Sequence, residues 1–208
     1  MPLLLLATNN PGKIAELRRL LDGCGWEVVT PAELGLDLEV DESGETYEEN
    51  ATRKALQYAQ AGGLVALADD SGLEVDALGG RPGVLSARYA GPDRTDEERV
   101  QALLDELKDV PDEGRSARFR AVIAIADAAG RVETVEGAVE GRIARAPRGE
   151  NGFGYDPVFL LPDRGLTAAE LPADEKDAVS HRGVAARKAR RILEAHLRGS
   201  GFSPPPTG

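Results

Sequence analysis

The chain has 208 residues, of which 41% are hydrophobic and 29% are charged, a balance typical of a soluble globular protein with one large domain or two small lobes around a shared core. Its formal net charge of −11 argues against a nucleic-acid-binding protein with a broad basic surface, and no apolar run is long enough to span a bilayer. The single cysteine, Cys24, excludes an internal disulfide and a multi-cysteine metal site. We therefore expect a cytoplasmic protein that binds neither nucleic acid nor membrane.

The first part of the chain alternates strands and helices. Residues 3–7 form an apolar run that predicts a buried strand, and the turn-rich segment 8–12 leads from it into a helix that ends near Gly23. A short strand is predicted at residues 28–29, followed by an acidic loop or strand edge at residues 36–44. Strand–turn–helix connections of this kind indicate an α/β fold.

The next helix and strand carry several polar residues. Thr46 and Glu49 have the spacing of a capping box, which predicts a helix that starts at Thr46. Residues 64–68 predict an apolar strand that ends directly before Asp69 and Asp70. Because neighbouring side chains of an extended chain point to opposite faces, we expect only one of these two carboxylates to face a binding site.

The second half of the chain continues the pattern. A second capping box predicts a helix from Thr95, and residues 118–126 and 131–143 predict a β-hairpin. A glycine-rich loop leads into a strand at residues 158–161, and an amphipathic helix is predicted at residues 183–197. Residues 199–208 are rich in glycine, serine and proline, which predicts a disordered tail after a single two-lobed domain of residues 1–198.

Two segments are candidates for phosphate chemistry. The segment from Thr8 to Lys13 lies where a strand leads into a helix, and a helix N-terminus with a nearby lysine suits a phosphate. Asp70 could bind a metal ion or take a proton from water, and Asp41 or Glu42 could complete a metal site with it. Ordinary turn chemistry and a solvated acidic surface explain the same residues about equally well.

Two further segments could hold a flat ligand. Glycines flank Phe153, so its ring could stack on a nucleobase, although the same loop could place the ring in the core. Lys176, His181 and Arg182 lie near the last helix, where they could bind a base or a phosphate as donors, or simply be surface charges.

These segments together resemble the inosine triphosphate pyrophosphatase family, whose members hydrolyse non-canonical purine nucleotides. The resemblance covers the chain from about Leu4 to Leu197, and six segments occur in the order and spacing of the family. They are residues 6–13, 44–51, 68–73, 79–89, 152–157 and 180–183. Residue 47 is a tyrosine where the family usually has phenylalanine.

The resemblance implies an elongated mixed sheet flanked by helices, two lobes with the active-site cleft between them, and a homodimer. It implies hydrolysis of ITP, dITP, XTP and dXTP to the monophosphate and pyrophosphate with Mg²⁺, which keeps these nucleotides out of DNA and RNA. Asp70 would be the general base, and it would bind the metal with Asp41 or Glu42. The substrate-binding residues would be Thr8, Asn9, Asn10, Pro11, Gly12, Lys13, Ser71, Phe153, Gly154, Tyr155, Asp156, Lys176, His181 and Arg182.

Two alternatives remain at this point. One is a related pyrophosphatase that acts on modified pyrimidines or on nucleotides with methylated bases, which a substrate screen would separate. The other is a regulator that binds a nucleotide without hydrolysing it. Lys13 and Asp70 argue against a regulator, because together they provide phosphate neutralisation and a base for water.

Overall fold

The structure is a computed structural model that describes residues 1–199. It contains a seven-stranded sheet in the order β2-β1-β3-β4-β5-β6-β7. The strands are β1 (Leu3–Leu6), β2 (Glu27–Val29), β3 (Val65–Val75), β4 (Ser116–Ala126), β5 (Val132–Ile143), β6 (Phe159–Leu161) and β7 (Leu166–Thr167). Strand β1 pairs in parallel with β2 and β3, whereas β6 pairs antiparallel with β5 and β7. The prediction of an α/β fold with a mixed sheet is confirmed.

Five α-helices accompany the sheet within the described residues. They are α1 (Pro11–Leu20), α2 (Tyr47–Gly62), α3 (Asp96–Glu106), α4 (Ala173–Val179) and α5 (His181–Leu197). The predicted capping box at Thr95 is present, since the Thr95 and Glu98 side chains each accept a backbone N–H of the other. None of the helices within residues 1–199 combines the length and the apolar composition that crossing a bilayer requires.

The chain separates into two compact units, each with its own core. Unit 1 contains Met1–Asp70, Ala121–Glu136 and the chain from Val184 onward, and unit 2 contains Ser71–Arg120 and Gly137–Gly183. In unit 1, leucines of β1 and β3 pack with α1, α5 and the isoleucines of β4. In unit 2, the later parts of β3 and β5 pack with α3, β6 and the phenylalanines Phe119 and Phe159.

Two local predictions are corrected by the structure, and one helix was missed. Strand β3 does not end before Asp69 but continues to Val75, past its pairing with β1 at residues 65–67, because β4 lies next to it in the sheet and offers partners for its backbone hydrogen bonds. The capping box at Thr46 is only half formed, since Thr46 accepts from Glu49 N but the Glu49 carboxylate accepts from Glu45 N at 2.8 Å. Helix α4 was not predicted.

The predicted tail of residues 199–208 lies, apart from Gly199, outside the described residues.

Candidate active site

The turn between β1 and α1 is built by its own side chains. Asn10 caps α1, because its Oδ1 accepts from Lys13 N at 3.1 Å, and its own N–H donates to Thr8 Oγ1 at 3.2 Å. Pro11 occupies the first helical position, where no N–H is needed. Asn9 and Asn10 are exposed and Gly12 is half-buried, so this helix N-terminus is open to a ligand. Its dipole and its N–H groups favour an anion.

Two lysines converge on the main chain of β3 in unit 1. Lys13 Nζ lies 2.8 Å from Asp69 Oδ1 and donates to Asp69 O at 3.1 Å. Lys54 Nζ, from the middle of α2, donates to the same carbonyl oxygen at 3.3 Å. The Asp69 side chain is fully buried. Its carboxylate therefore balances the charge of Lys13 and sets the direction of that side chain, while the lysine's remaining N–H can meet a ligand.

Asp70 is buried beside a second set of polar groups. Its Oδ2 accepts from Asn50 Nδ2 at 3.2 Å, and its Oδ1 lies 3.7 Å from Lys54 Nζ. Burial raises the pKa of Asp70 above the usual value of an aspartate, although Lys54, Lys13 and Asn50 each act to lower it. A carboxylate with a raised pKa takes a proton more readily, so Asp70 is suited to act as a general base.

Lys54 is charged in this setting. Burial alone would lower its pKa, but the carboxylates of Asp70, Glu42 and Asp69 outweigh that effect and raise the pKa above the usual lysine value. Lys54 Nζ lies 2.9 Å from Glu42 Oε1. The ammonium thus lies between two carboxylates that would otherwise repel each other.

The structure separates the two acids that the sequence left as alternatives. Glu42 contacts Lys54, which in turn neighbours Asp70. Asp41 instead accepts from Ser43 Oγ at 2.5 Å and lies 3.4 Å from Arg53 Nη1, with 72% of its side chain exposed. Glu42 is therefore the better placed partner for Asp70.

The donor set around Asp70 fits Mg²⁺. Asp70 and Glu42 offer carboxylate oxygens, which are the ligands this ion prefers. Within residues 1–199 no group of three or more acidic, histidine or cysteine side chains is close enough to hold a metal on its own. Mg²⁺ does not need such a cage, because it is commonly held by one or two carboxylates together with substrate phosphates and water.

Asn50 and Lys54 were missed by the sequence interpretation. Both lie on the buried face of α2 that also carries Tyr47, Ala51 and Ala55. Polar residues within an otherwise apolar helical stripe need partners inside the protein. The positions of Asn50 and Lys54 at helical spacing from these apolar residues were the sequence signal that could have identified them. Asn50 also accepts from Gly44 N at 2.8 Å, so it links the acidic loop to Asp70.

Unit 2 contains the predicted base-binding residues, grouped around Phe153. The half-buried Phe153 ring lies 5.2 Å from Lys176 Nζ and 5.5 Å from Arg182 Cζ, measured to the ring centroid. Asp156 forms a buried ion pair with Lys176 and accepts from Phe153 N at 2.9 Å. Arg182 Nη2 donates to Ser71 Oγ at 2.8 Å. The structure thus brings an aromatic ring and two cations together.

Two further predicted residues of this group, His181 and Tyr155, are buried and contact other parts of unit 2. The His181 ring is buried and stacks on Phe119, with centroids 4.7 Å apart and planes 17° from parallel. Tyr155 is also buried in the unit 2 core, and its hydroxyl donates to Ser86 O at 2.9 Å. Through this hydrogen bond, Tyr155 fixes the position of the loop that carries Phe153.

Comparisons with known proteins agree with this chemistry. The Ham1 family model matches residues 4–192. The chain belongs to the Ham1 family. This confirms the family resemblance that the sequence motifs indicated. The Ham1 match extends over parts of both units, and so includes every candidate site residue described above.

Individual Ham1 relatives are similar over nearly their whole length. The dITP/XTP pyrophosphatase of Bacillus subtilis strain 168 is 49% identical over 92% of this chain and 96% of its own. The dITP/XTP pyrophosphatase of Desulforamulus reducens is 53% identical over 91% of this chain and 94% of its own. The solved structure of a HAM1 protein from Coxiella burnetii is 44% identical, with a TM-score of 0.84 over 93% of this chain and 98% of that protein.

Proposed function

We propose that this chain hydrolyses deaminated purine nucleoside triphosphates, namely ITP, dITP, XTP and dXTP, to the monophosphate and pyrophosphate. The observation that carries the proposal is Asp70, a buried carboxylate with a raised pKa beside the ammonium of Lys54. Membership of the Ham1 family, with dITP/XTP pyrophosphatases among its members, supports the choice of substrate. Removal of such nucleotides keeps them out of DNA and RNA.

In unit 1, the residues handle phosphates and water. The N-terminus of α1 and the ammonium of Lys13 bind the triphosphate, whose negative charges must be neutralised before water can attack phosphorus. Asp70 takes one proton from the attacking water. The water oxygen forms a bond to the α-phosphorus, the bond from the α-phosphorus to the oxygen that bridges to the β-phosphate breaks, and pyrophosphate leaves with the electron pair. Lys54 holds Glu42 and Asp70 in place and stabilises the negative charge on both.

We propose Asp70 and Glu42 as the residues that hold Mg²⁺. When bound, this ion would neutralise phosphate charge and stabilise the leaving pyrophosphate. The proposal is supported by the contact of both carboxylates with Lys54, because this shared contact places the two acids in the same region of unit 1.

In unit 2, the residues recognise the base. Phe153 stacks on the purine, and Arg182 and His181 donate hydrogen bonds to the 6-oxo group of hypoxanthine or xanthine. Adenine carries a 6-amino group, a donor, which would face these donors without an acceptor. GTP shares the 6-oxo group, so its rejection must depend on the 2-amino group. We also propose that the chain forms a homodimer, as the family resemblance implies. We propose a cytoplasmic location, because this nucleotide pool exists where nucleic acids are synthesised.

Product analysis tests the reaction type. The chain should convert ITP to the monophosphate and pyrophosphate in equal amounts with Mg²⁺ present, as followed by anion-exchange chromatography. The matched control is Asp70→Asn, which keeps the shape of the side chain but cannot accept the proton. Release of orthophosphate and a nucleoside diphosphate would show that a different anhydride bond is cleaved.

A further inference from the structure

The loop that carries Phe153 is tied to the start of α3. Gly154 N donates to Asp96 Oδ2 at 2.7 Å. Asp96 is the first residue of α3, directly after the capping residue Thr95. The bond is short and its acceptor is charged, which makes it one of the stronger kinds of hydrogen bond in proteins. Nothing in the proposed reaction uses Asp96 directly.

The orientation of the Asp96 carboxylate is fixed by a second contact. Its other oxygen, Oδ1, accepts from Arg99 Nη1 at 3.1 Å, one turn further along α3. The Arg99 side chain is 14% exposed, whereas that of Asp96 is 45% exposed. The carboxylate thus has a fixed orientation without being part of the core, so its removal should not unfold unit 2.

The backbone conformation of Gly154 is one that the contact with Asp96 helps to fix. Its φ of +62° lies in the left-handed region, and a Cβ added there would meet no atom within 4 Å. The glycine is therefore needed for its backbone conformation rather than for space. Such a residue has several accessible conformations, and the Asp96 carboxylate selects the one in which the N–H points toward α3.

Phe153 directly precedes this glycine. Its ring position relative to Lys176 and Arg182 follows from the backbone of residues 153–154, which is fixed on one side by Asp156 and on the other by Asp96. Tyr155 adds a third attachment through Ser86 O. Of these attachments, only the one to Asp96 comes from a partly exposed side chain.

We infer that Asp96 is a positioning residue for base recognition: it holds Gly154 so that the Phe153 ring is presented to the purine. This inference rests on the proposed function, because it assigns the base to Phe153. It predicts that Asp96 affects the binding of ligands that contain a base and leaves the binding of phosphate chains unchanged.

The test compares Asp96→Ala with Asp96→Asn and with Glu97→Ala. The asparagine keeps an acceptor oxygen, and Glu97→Ala removes the same charge from the next residue of α3. Asp96→Ala should raise KM for ITP about ten-fold, the effect of losing one charge-assisted hydrogen bond, with kcat changed less than about two-fold. Inhibition by inorganic tripolyphosphate should stay unchanged. Asp96→Asn should recover most of the loss, and Glu97→Ala should resemble the wild type.

A second measurement does not depend on activity. Amide hydrogen exchange at residues 153–155 should become faster in Asp96→Ala and not in Glu97→Ala. If the wild type releases no pyrophosphate from ITP, the proposed function fails, while this exchange comparison still decides whether Asp96 holds the loop. Unchanged exchange in Asp96→Ala, equal weakening of ITP and tripolyphosphate binding, or the same KM change in Glu97→Ala would overturn the inference.

Discussion

At the scale of single residues, Asp70 combines burial with three groups that stabilise its charge. Burial is the larger influence, so the folded-state pKa is raised. An aspartate with a raised folded-state pKa destabilises the fold when ionised, and this penalty is fully present above the folded pKa and disappears below the unfolded pKa. The residue proposed as the base therefore lowers stability at neutral pH, a common trade-off in active sites.

Asp70→Asn should separate activity from stability. We expect pyrophosphate release to fall by about 10²–10⁴, the usual contribution of a general base, while nucleotide binding persists. The melting temperature at about pH 8 should be equal to or higher than that of the wild type. This difference should shrink as the pH falls through the raised folded-state pKa of Asp70, and it should disappear once the pH is also below the ordinary aspartate pKa of the unfolded chain. A turnover within a few-fold of the wild type would eliminate Asp70 as the base.

The variant Lys13→Ala tests whether Lys13 binds the triphosphate. The lysine should contact phosphates beyond the α position, so the variant should bind the triphosphate more weakly while its affinity for the monophosphate product changes little. Calorimetric titration with both ligands gives the two affinities. Because Lys13 also balances the buried Asp69 carboxylate, a lower melting temperature is expected as well. Equal loss of affinity for both ligands would assign Lys13 a purely structural role.

Arg182→Ala and Phe153→Ala test how the base is chosen. Arginine can only donate, so its loss should reduce activity on ITP far more than the residual activity on ATP, and the ratio between them should collapse. Phe153→Ala should reduce both activities similarly, because stacking does not depend on the base edge. Steady-state kinetics with the two substrates measures both ratios. A uniform loss in Arg182→Ala would contradict its assigned role in reading the base.

At the scale of elements, Arg115 joins helix α3 to strand β5. It is fully buried, and its guanidinium donates to Leu107 O at 2.6 Å, Ile143 O at 2.8 Å and Ala144 O at 3.0 Å. Leu107 is the C-cap residue directly after α3. Three carbonyl oxygens in different directions need a planar group with several donors, which arginine provides and lysine does not.

Arg115→Met should therefore lower the stability of the protein by about 2–4 kcal/mol, because buried carbonyl groups would lose their donors. Chemical denaturation gives the free energy of unfolding. The matched control is Arg145→Met, since Arg145 is exposed and pairs with the exposed Asp112. We expect that variant to change stability by less than about 0.5 kcal/mol. A similar loss of unfolding free energy in the two variants would show that the contribution of Arg115 to stability does not depend on its burial.

The elements that were predicted correctly carry strong local signals. The Thr95 capping box and the hairpin of β4 and β5 depend on residues close in sequence. The continuation of β3 through Asp69 and Asp70 does not, because an Asp-Ser-Gly sequence is also typical of a turn. Groups of α1 and α2, distant in sequence, make two adjacent buried carboxylates acceptable within the strand: Lys13 contacts Asp69, and Lys54 and Asn50 contact Asp70.

The site follows the same rule. The motifs indicated Asp70, Lys13 and Phe153 as site residues. Between Asp41 and Glu42 as the second candidate metal ligand, the structure favours Glu42 because its carboxylate contacts Lys54. Lys54 itself reads as an ordinary helix lysine until its burial is known. The helical spacing of α2 indicates that Lys54 faces inward, but the carboxylates that it contacts lie outside α2 and could not be predicted from one sequence.

At the scale of the whole molecule, the net charge of −11 contrasts with the ligand, a polyanion. Under the proposed function, a helix N-terminus and two lysines of unit 1 bind the phosphates, and residues around Phe153 in unit 2 bind the base. The Ham1 family match extends over residues 4–192, and the chain shares its fold with the solved HAM1 protein from Coxiella burnetii.

The preference for deaminated purines can be measured as pyrophosphate release from ITP and from ATP, compared as kcat/KM with Mg²⁺ present. A mismatch between donors in a partly desolvated pocket supports a preference of about 10⁴ for ITP. Comparable kcat/KM values for ITP and ATP would contradict the account, because Arg182 and His181 would then not distinguish a 6-oxo group from a 6-amino group.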